Sequence, residues 1–205
     1  MTKYELIYFD LKGRGEAERL AFVIAGIPFT DTRIKGADWP QLKSQFAFGT
    51  VPVLRIDDTL EVTQAVAILN YIGRLGGLVP TDLIEALKVD EIIHALIDSG
   101  YAVSTSMGIK DQEKKLAVRK ELAETTLPIM LAGVDKLIAA NHGKFAVGDK
   151  LTIADLQILS SYTQLTSGSL DGIPVSIVDA YPNFVRVAKE VLNHEAVKRY
   201  YEERK

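Results

Sequence analysis

The hydrophobic periodicity of this chain changes character once, near residue 76, and does not change back. Up to residue 75, short β-rich runs at Lys3–Phe9, Phe29–Ile34, Val51–Ile56 and Leu60–Val62 alternate with stretches of helical spacing. From Thr81 onward no convincing period-two segment occurs, and Leu83–Met107 and Gln112–Asn141 carry long helical patterns. Between the two regimes lies Gly76-Gly77-Leu78-Val79-Pro80, where two glycines and a proline in five residues mark a linker. The pattern predicts two domains: an α/β domain over 1–75, a linker over 76–81 and an all-α domain over 82–205.

Within the first domain, Ala17, Leu20, Ala21 and Ile24 follow helical spacing, and Gly26 with Pro28 supplies the stop. Strand, helix, strand in that order requires a crossover and hence parallel pairing. Val51–Ile56 turns through Asp57-Asp58 into Leu60–Val62 as an antiparallel hairpin, and Gln64–Leu75 returns to helical spacing, so the half scans as βαβ followed by ββα. In the second half, Thr152 and Asp155 stand three apart ahead of an apolar run, the spacing of a capping box that starts a buried helix at Ile153–Leu159. That motif is assigned to folding rather than binding.

Composition narrows the chemistry. In 205 residues, 24 Lys and Arg stand against 27 Asp and Glu, so the formal charge is −3. This balance offers no footprint for nucleic acid or an anionic membrane surface. There is no cysteine, which removes disulfides, thiolate zinc sites and cysteine nucleophiles together; any nucleophilic sulfur has to come from a ligand. The start MTKYELIYFD lacks a secretory pattern, and the most apolar stretches fall short of the ~20 residues that span a bilayer, so a cytoplasmic protein is expected. His94, His142 and His194 are far apart, and no metal site is expected. No serine-hydrolase elbow, dinucleotide fingerprint or Walker loop occurs.

Three places remain that could carry chemistry. Tyr8 and Phe9 close the first strand, and Asp10–Gly13 delivers Arg14 to a helix start whose positive end favours anions. A tyrosine hydroxyl and a cation there could stabilise a thiolate; taken alone, the same residues better suit a strand tyrosine half-buried in a core. At Phe48-Gly49-Thr50-Val51-Pro52, a proline opening a strand leaves the N–H and C=O of Val51 available to a ligand backbone, and a cis Val51–Pro52 bond would fix that presentation; a ligand-free tight turn is the alternative. Gln64 near a helix start could offer its amide to a carboxylate, or simply cap the helix. Trp39 and Lys43, four apart, share one face if their segment is helical.

Taken in order, these residues resemble the glutathione transferases, most closely the sigma class, which includes the glutathione-dependent prostaglandin D synthases. The likeness runs through Tyr8-Phe9, Gly13-Arg14-Gly15-Glu16-Ala17-Glu18-Arg19, Trp39-Pro40 with Lys43, and Gly49-Thr50-Val51-Pro52-Val53-Leu54. It continues through Thr63-Gln64-Ala65 with Ala67-Ile68, Val89-Asp90 with Asp98, and Gly148 with Thr152-Ile153-Ala154-Asp155. The resemblance implies a thioredoxin-like N-terminal domain that binds glutathione, an all-helical C-terminal domain, a homodimer, and conjugation of the glutathione thiolate to small hydrophobic electrophiles. By match, Tyr8 would stabilise the thiolate, supported by Arg14. Trp39 and Lys43 would hold the glycine carboxylate, and Val51, leading into Pro52, would pair with the cysteinyl backbone. Gln64 and Ala65 would take the γ-glutamyl end, and Asp98 would reach the γ-glutamyl ammonium across the dimer. Phe9, Gly13, Arg14, Tyr101 and Thr105 would line the electrophile pocket.

The chain departs from the family pattern at Ala65, where the family has serine, and at Thr50, where glutamine or lysine is common. Phe48 occupies the place of the aromatic dimer key of some other classes. Two alternatives accompany the transferase reading: a catalytically poor ligand-binding or crystallin-like member, and a glutathione-dependent isomerase such as a prostaglandin D synthase.

Overall fold

The computed structural model describes residues 2–204, and they fall into two compact units, one of residues 2–79 with 194–204 and one of Pro80–Asn193. The first unit is built on a four-stranded sheet of β1 (Tyr4–Phe9), β2 (Thr30–Ile34), β3 (Val53–Ile56) and β4 (Leu60–Thr63). The strands lie in the order β2-β1-β3-β4, with β1 parallel to β2 and antiparallel to β3, and β3 antiparallel to β4. This is the βαβ-ββα order that the periodicity predicts, and it is the thioredoxin-like arrangement. The β1–β2 crossover runs through α1 (Glu16–Ala25), which a short 3-10 turn at Gly13–Gly15 precedes and a left-handed Gly26 ends. A short α2 (Trp39–Leu42) follows β2, and α3 (Ala65–Leu75) follows β4.

Leu6, Leu20, Ala21, Phe22, Leu54, Ile68, Leu69 and Ile72 make the apolar core of this unit. The first half of α1 departs from a simple amphipathic stripe: Glu16, Ala17, Glu18, Arg19, Leu20, Ala21 and Phe22 are all buried. Such all-round burial of three ionisable residues was not visible in the helical spacing of the apolar positions alone.

The second unit contains α4 (Leu83–Thr105), α5 (Gln112–Glu124), α6 (Thr126–Ala140), α7 (Ile153–Thr166) and α8 (Pro182–Leu192). Its core helix is α7, buried continuously from Ile153 to Ser160. The capping box forms as expected: Asp155 Oδ2 accepts from the Thr152 N–H at 2.7 Å, while Oδ1 accepts from the Ala146 N–H at 2.7 Å. Burial pushes the Asp155 carboxyl up to about 6 even though these donors pull it down. Asp135 on α6 caps α8, accepting from the Asn183 N–H at 2.7 Å and the Phe184 N–H at 2.9 Å.

Two findings refine the helical pattern of residues 82–204. Gln112–Asn141 is not one helical run but two, broken at Thr125, because Pro128 has no N–H to give a continuing helix and its ring would clash with the carbonyl of Glu124. Within the stretch 82–205, expected as an all-helical domain, the last helix packs with the first unit. His194–Lys205 belongs to the first unit, where α9 (Glu195–Glu202) buries Val197 and Tyr200 and packs along α1. Polar contacts accompany this burial: Arg204 meets Asp31 at 3.1 Å, and Arg33 donates to the Tyr200 hydroxyl at 3.3 Å.

Candidate functional site

Tyr8 lies near the end of β1, and its ring is almost fully buried in a cluster with Ile7, Ile34, Phe46, Val51 and Val53. The turn after the strand folds back over this ring. The Arg14 N–H donates to Tyr8 Oη at 3.0 Å, so the phenol oxygen accepts one bond and its own proton is left to donate elsewhere. Close approach of the turn depends on missing side chains. A Cβ at Gly15 would stand 2.6 Å from Tyr8 Cγ, and one at Gly13, whose φ is +45°, would stand 2.7 Å from Oη.

Burial pushes the Tyr8 phenol above its ordinary pKa. The Arg14 N–H and the charges of Arg14 and Arg19 oppose that shift, whereas Glu18 adds to it. At neutral pH the hydroxyl is therefore protonated and able to act as a donor. Of the two uses considered for Tyr8, core filling and chemistry, the geometry serves both: the ring packs, and the hydroxyl is presented with an N–H behind it.

Aromatic contacts carry the site outward. Phe9 sits edge-on to Tyr8 at 5.6 Å and to Trp39 at 5.2 Å, and Trp39 stacks on Phe46 at 6.1 Å. Trp39 begins α2, and the Lys43 N–H bonds its carbonyl, so the two share one helical face as their spacing requires. Lys43 is exposed, with its stem along the backbone of Gly49: a Cβ there would be 3.1 Å from Lys43 Cε.

Val51 is buried just before β3, and its bond to Pro52 is cis. The first ladder pair of β3 is Ile7 with Val53, so Val51 lies outside the ladder. Among the described residues the N–H and C=O of Val51 enter no backbone hydrogen bond, which leaves one donor and one acceptor at the sheet margin. Gln64 stands at the start of α3 with φ +77° and ψ 106°, a conformation uncommon for a residue with a side chain. Its side chain makes no cap bond to α3, so capping does not account for it. Ala65 follows as the first helical residue.

The sequence-selected residues Tyr8, Phe9, Gly13, Arg14, Trp39 and Val51 thus converge around one buried phenol, with Lys43 beside Gly49. On α4, Asp98, Tyr101 and Thr105 are spaced three and four apart and are all exposed, so they share one face of that helix. Phe48 is 68% exposed, far more than a packed core residue. Sequence reasoning quoted Arg19 only as part of a motif, yet its guanidinium is fully buried and bonds the turn that carries Arg14. An arginine inside the apolar face Leu20-Ala21-Phe22 is the signal that could have marked it.

Residues 4–74 match the family model described as "Glutathione S-transferase, N-terminal domain", and residues 98–204 match "Glutathione S-transferase, C-terminal domain". The chain belongs to the glutathione S-transferase family: it is a transferase whose co-substrate is glutathione. It is 35% identical over 181 residues to "Glutathione S-transferase 1" of Ascaris suum, covering 84% of this chain and 86% of that one. It is 30% identical over 191 residues to "Hematopoietic prostaglandin D synthase" of Gallus gallus, covering 93% and 91%. A prostaglandin synthase D structure from Nilaparvata lugens superposes with a TM-score of 0.89 at 28% identity, covering 99% and 98%.

Proposed function

We propose that this transferase conjugates the glutathione thiolate to small hydrophobic electrophiles, with Tyr8 as the donor to the sulfur. The observation that carries the reading is the buried Tyr8 hydroxyl, backed at 3.0 Å by the Arg14 N–H. A cysteine-like thiol has a pKa of ~8.5, so only a few per cent is thiolate at pH 7. One hydrogen bond to the charged sulfur contributes ~1.5–3 kcal/mol, which lowers that pKa by ~1–2 and brings much of the bound thiol into its nucleophilic form.

The other assignments follow the ligand's own groups. Trp39 Nε1 and Lys43 Nζ suit the glycine carboxylate, the unbonded N–H and C=O of Val51 suit the cysteinyl backbone, and the Gln64 amide with the start of α3 suits the γ-glutamyl carboxylate. Phe9, Gly13 and Arg14 are proposed to bound the electrophile. Arg14 supports the sulfur electrostatically. Exposed Phe48 supports a homodimer, in which Asp98 would serve the partner's γ-glutamyl ammonium. No described helix is long and apolar enough to cross a membrane. The family reading, rather than that observation, supports the proposal of a cytoplasmic enzyme of detoxification.

A second reading, glutathione-dependent isomerisation, is favoured by the prostaglandin D synthase names among the relatives. Initial rates with glutathione and a chloronitrobenzene acceptor, with calorimetric titration of glutathione alongside, test the two. Saturable turnover supports conjugation. Tight binding without turnover supports the specialised isomerase or a ligand carrier, and absence of both overturns the glutathione site.

A further inference from the structure

We infer that Arg19 is a positioning residue for the thiol chemistry: from inside the fold it shapes the turn that sets the Arg14 N–H against Tyr8 Oη. This inference rests on the reading of Tyr8 as the thiolate donor. Arg19 is on α1, is 0% exposed and therefore never meets the ligand itself. Its planar fork is spent largely on backbone. Nη2 donates to the Phe9 carbonyl at 3.1 Å, and Nη1 donates to the Leu11 carbonyl at 2.7 Å and the Lys12 carbonyl at 3.4 Å. These three carbonyls belong to the turn that leaves β1 and ends at Gly13-Arg14. One side chain thus holds the path from the residue after Tyr8 to the residue before Gly13.

The same guanidinium lies 5.6 Å from the Tyr8 ring centroid, so it also places positive charge beside the phenol. Both effects favour a phenol that shares its proton with an anion. The N–H accepted by Oη strengthens the hydroxyl as a donor, and the nearby cation stabilises the negative charge the oxygen gains. Glu16 Oε2, at 3.4 Å from Nη1, and Asp31 Oδ1, at 2.9 Å from Nε, are the carboxylates that compensate the buried charge.

Asp31 extends the brace. Its other oxygen takes Arg33 at 2.9 Å and Arg204 at 3.1 Å, and Arg33 also reaches Asp10 in the turn at 3.0 Å. From α9, the Tyr201 ring lies 4.1 Å under Lys12 Nζ. The Arg19 guanidinium from α1, the Arg33 guanidinium from β2 and the Tyr201 ring from α9 thus converge on residues 9–12. Lysine cannot reproduce the fork, because an ammonium is a point donor that cannot span three carbonyls and a carboxylate in one plane.

The test is Arg19→Lys and Asp31→Asn in the full-length protein, followed by the ultraviolet thiolate absorbance of bound glutathione against pH, glutathione affinity by calorimetry, and thermal stability. The expected result is a thiolate pKa raised by ~1 in Arg19→Lys, with kcat/KM near pH 6.5 reduced ~10-fold and glutathione affinity changed less than ~3-fold. Asp31→Asn should shift in the same direction by less. A folded Arg19→Lys protein with an unmoved thiolate titration and a lower melting temperature would overturn the proposal and leave Arg19 as a brace for the fold alone. If Arg19→Lys does not fold, Asp31→Asn decides by the same readings. A wild-type protein that binds glutathione yet shows no thiolate band would instead sink the reading of Tyr8 on which this one rests.

Discussion

Glu18 is 1% exposed on α1, and among the described residues no other residue hydrogen-bonds either of its carboxylate oxygens. Burial pushes its pKa from 4.5 up to about 8, against the opposing pull of its own backbone N–H and of Arg19 and with a smaller addition from Glu16. In the folded protein the group therefore keeps a proton that the unfolded chain gives up. The folded state binds more protons between the two values, so this group's contribution to stability is greatest below pH ~4.5, falls by ~1.4 kcal/mol per pH unit as pH rises, and levels off above pH ~8. Over the whole window the loss comes to ~5 kcal/mol. Glu18→Met, of similar length and without a charge, removes the dependence. Urea unfolding of both proteins at pH 5, 6, 7 and 8, at one protein concentration, should show the variant gaining on wild type by up to ~4 kcal/mol across that range. Asp155, also raised, slopes in the same sense in both proteins and cancels in the difference. A flat difference curve would refute the reasoning, since it would mean that Glu18 is as ionised in the folded state as in the unfolded one.

Four further expectations concern the site and its support. Tyr8→Phe removes only the hydroxyl and should lose most conjugating activity with near-normal glutathione binding, as initial rates and calorimetry would show. Ala65→Ser restores a hydroxyl for the γ-glutamyl carboxylate and should tighten glutathione ~10-fold, from ~1–1.5 kcal/mol, by calorimetry. Gly15→Ala puts a methyl 2.6 Å from Tyr8 Cγ, so kcat/KM should fall sharply with the ring displaced. Asp135→Ala leaves two N–H donors at the start of α8 without their shared acceptor and should cost ~1–2 kcal/mol in urea unfolding while leaving the thiolate titration where it is.

The topology of the first unit was readable because strands of period two and helices of period 3.6 alternate there with clear stops, as at Gly26. The capping box was readable because Thr152 and Asp155 are local. What escaped were non-local pairings. The return of α9 to the first unit depends on Arg204 and Tyr200 finding Asp31 and Arg33, more than 160 residues away, and no periodicity records that. The break at Thr125 was legible in Pro128 but was overridden by the apolar run around it. In the site, motif order singled out Tyr8, Arg14 and Gln64, whereas the N–H that meets the Tyr8 hydroxyl, in a turn bonded by a buried arginine, needs three dimensions to be seen.

The most direct measurement of the central claim is the thiolate absorbance of glutathione bound to wild type and to Tyr8→Phe, titrated against pH. The wild-type complex should ionise ~1–2 pH units below the ~8.5 of a free cysteine-like thiol, and the variant should return most of the way to it. Equal titrations in the two complexes would contradict the assignment of Tyr8 as the group that stabilises the sulfur.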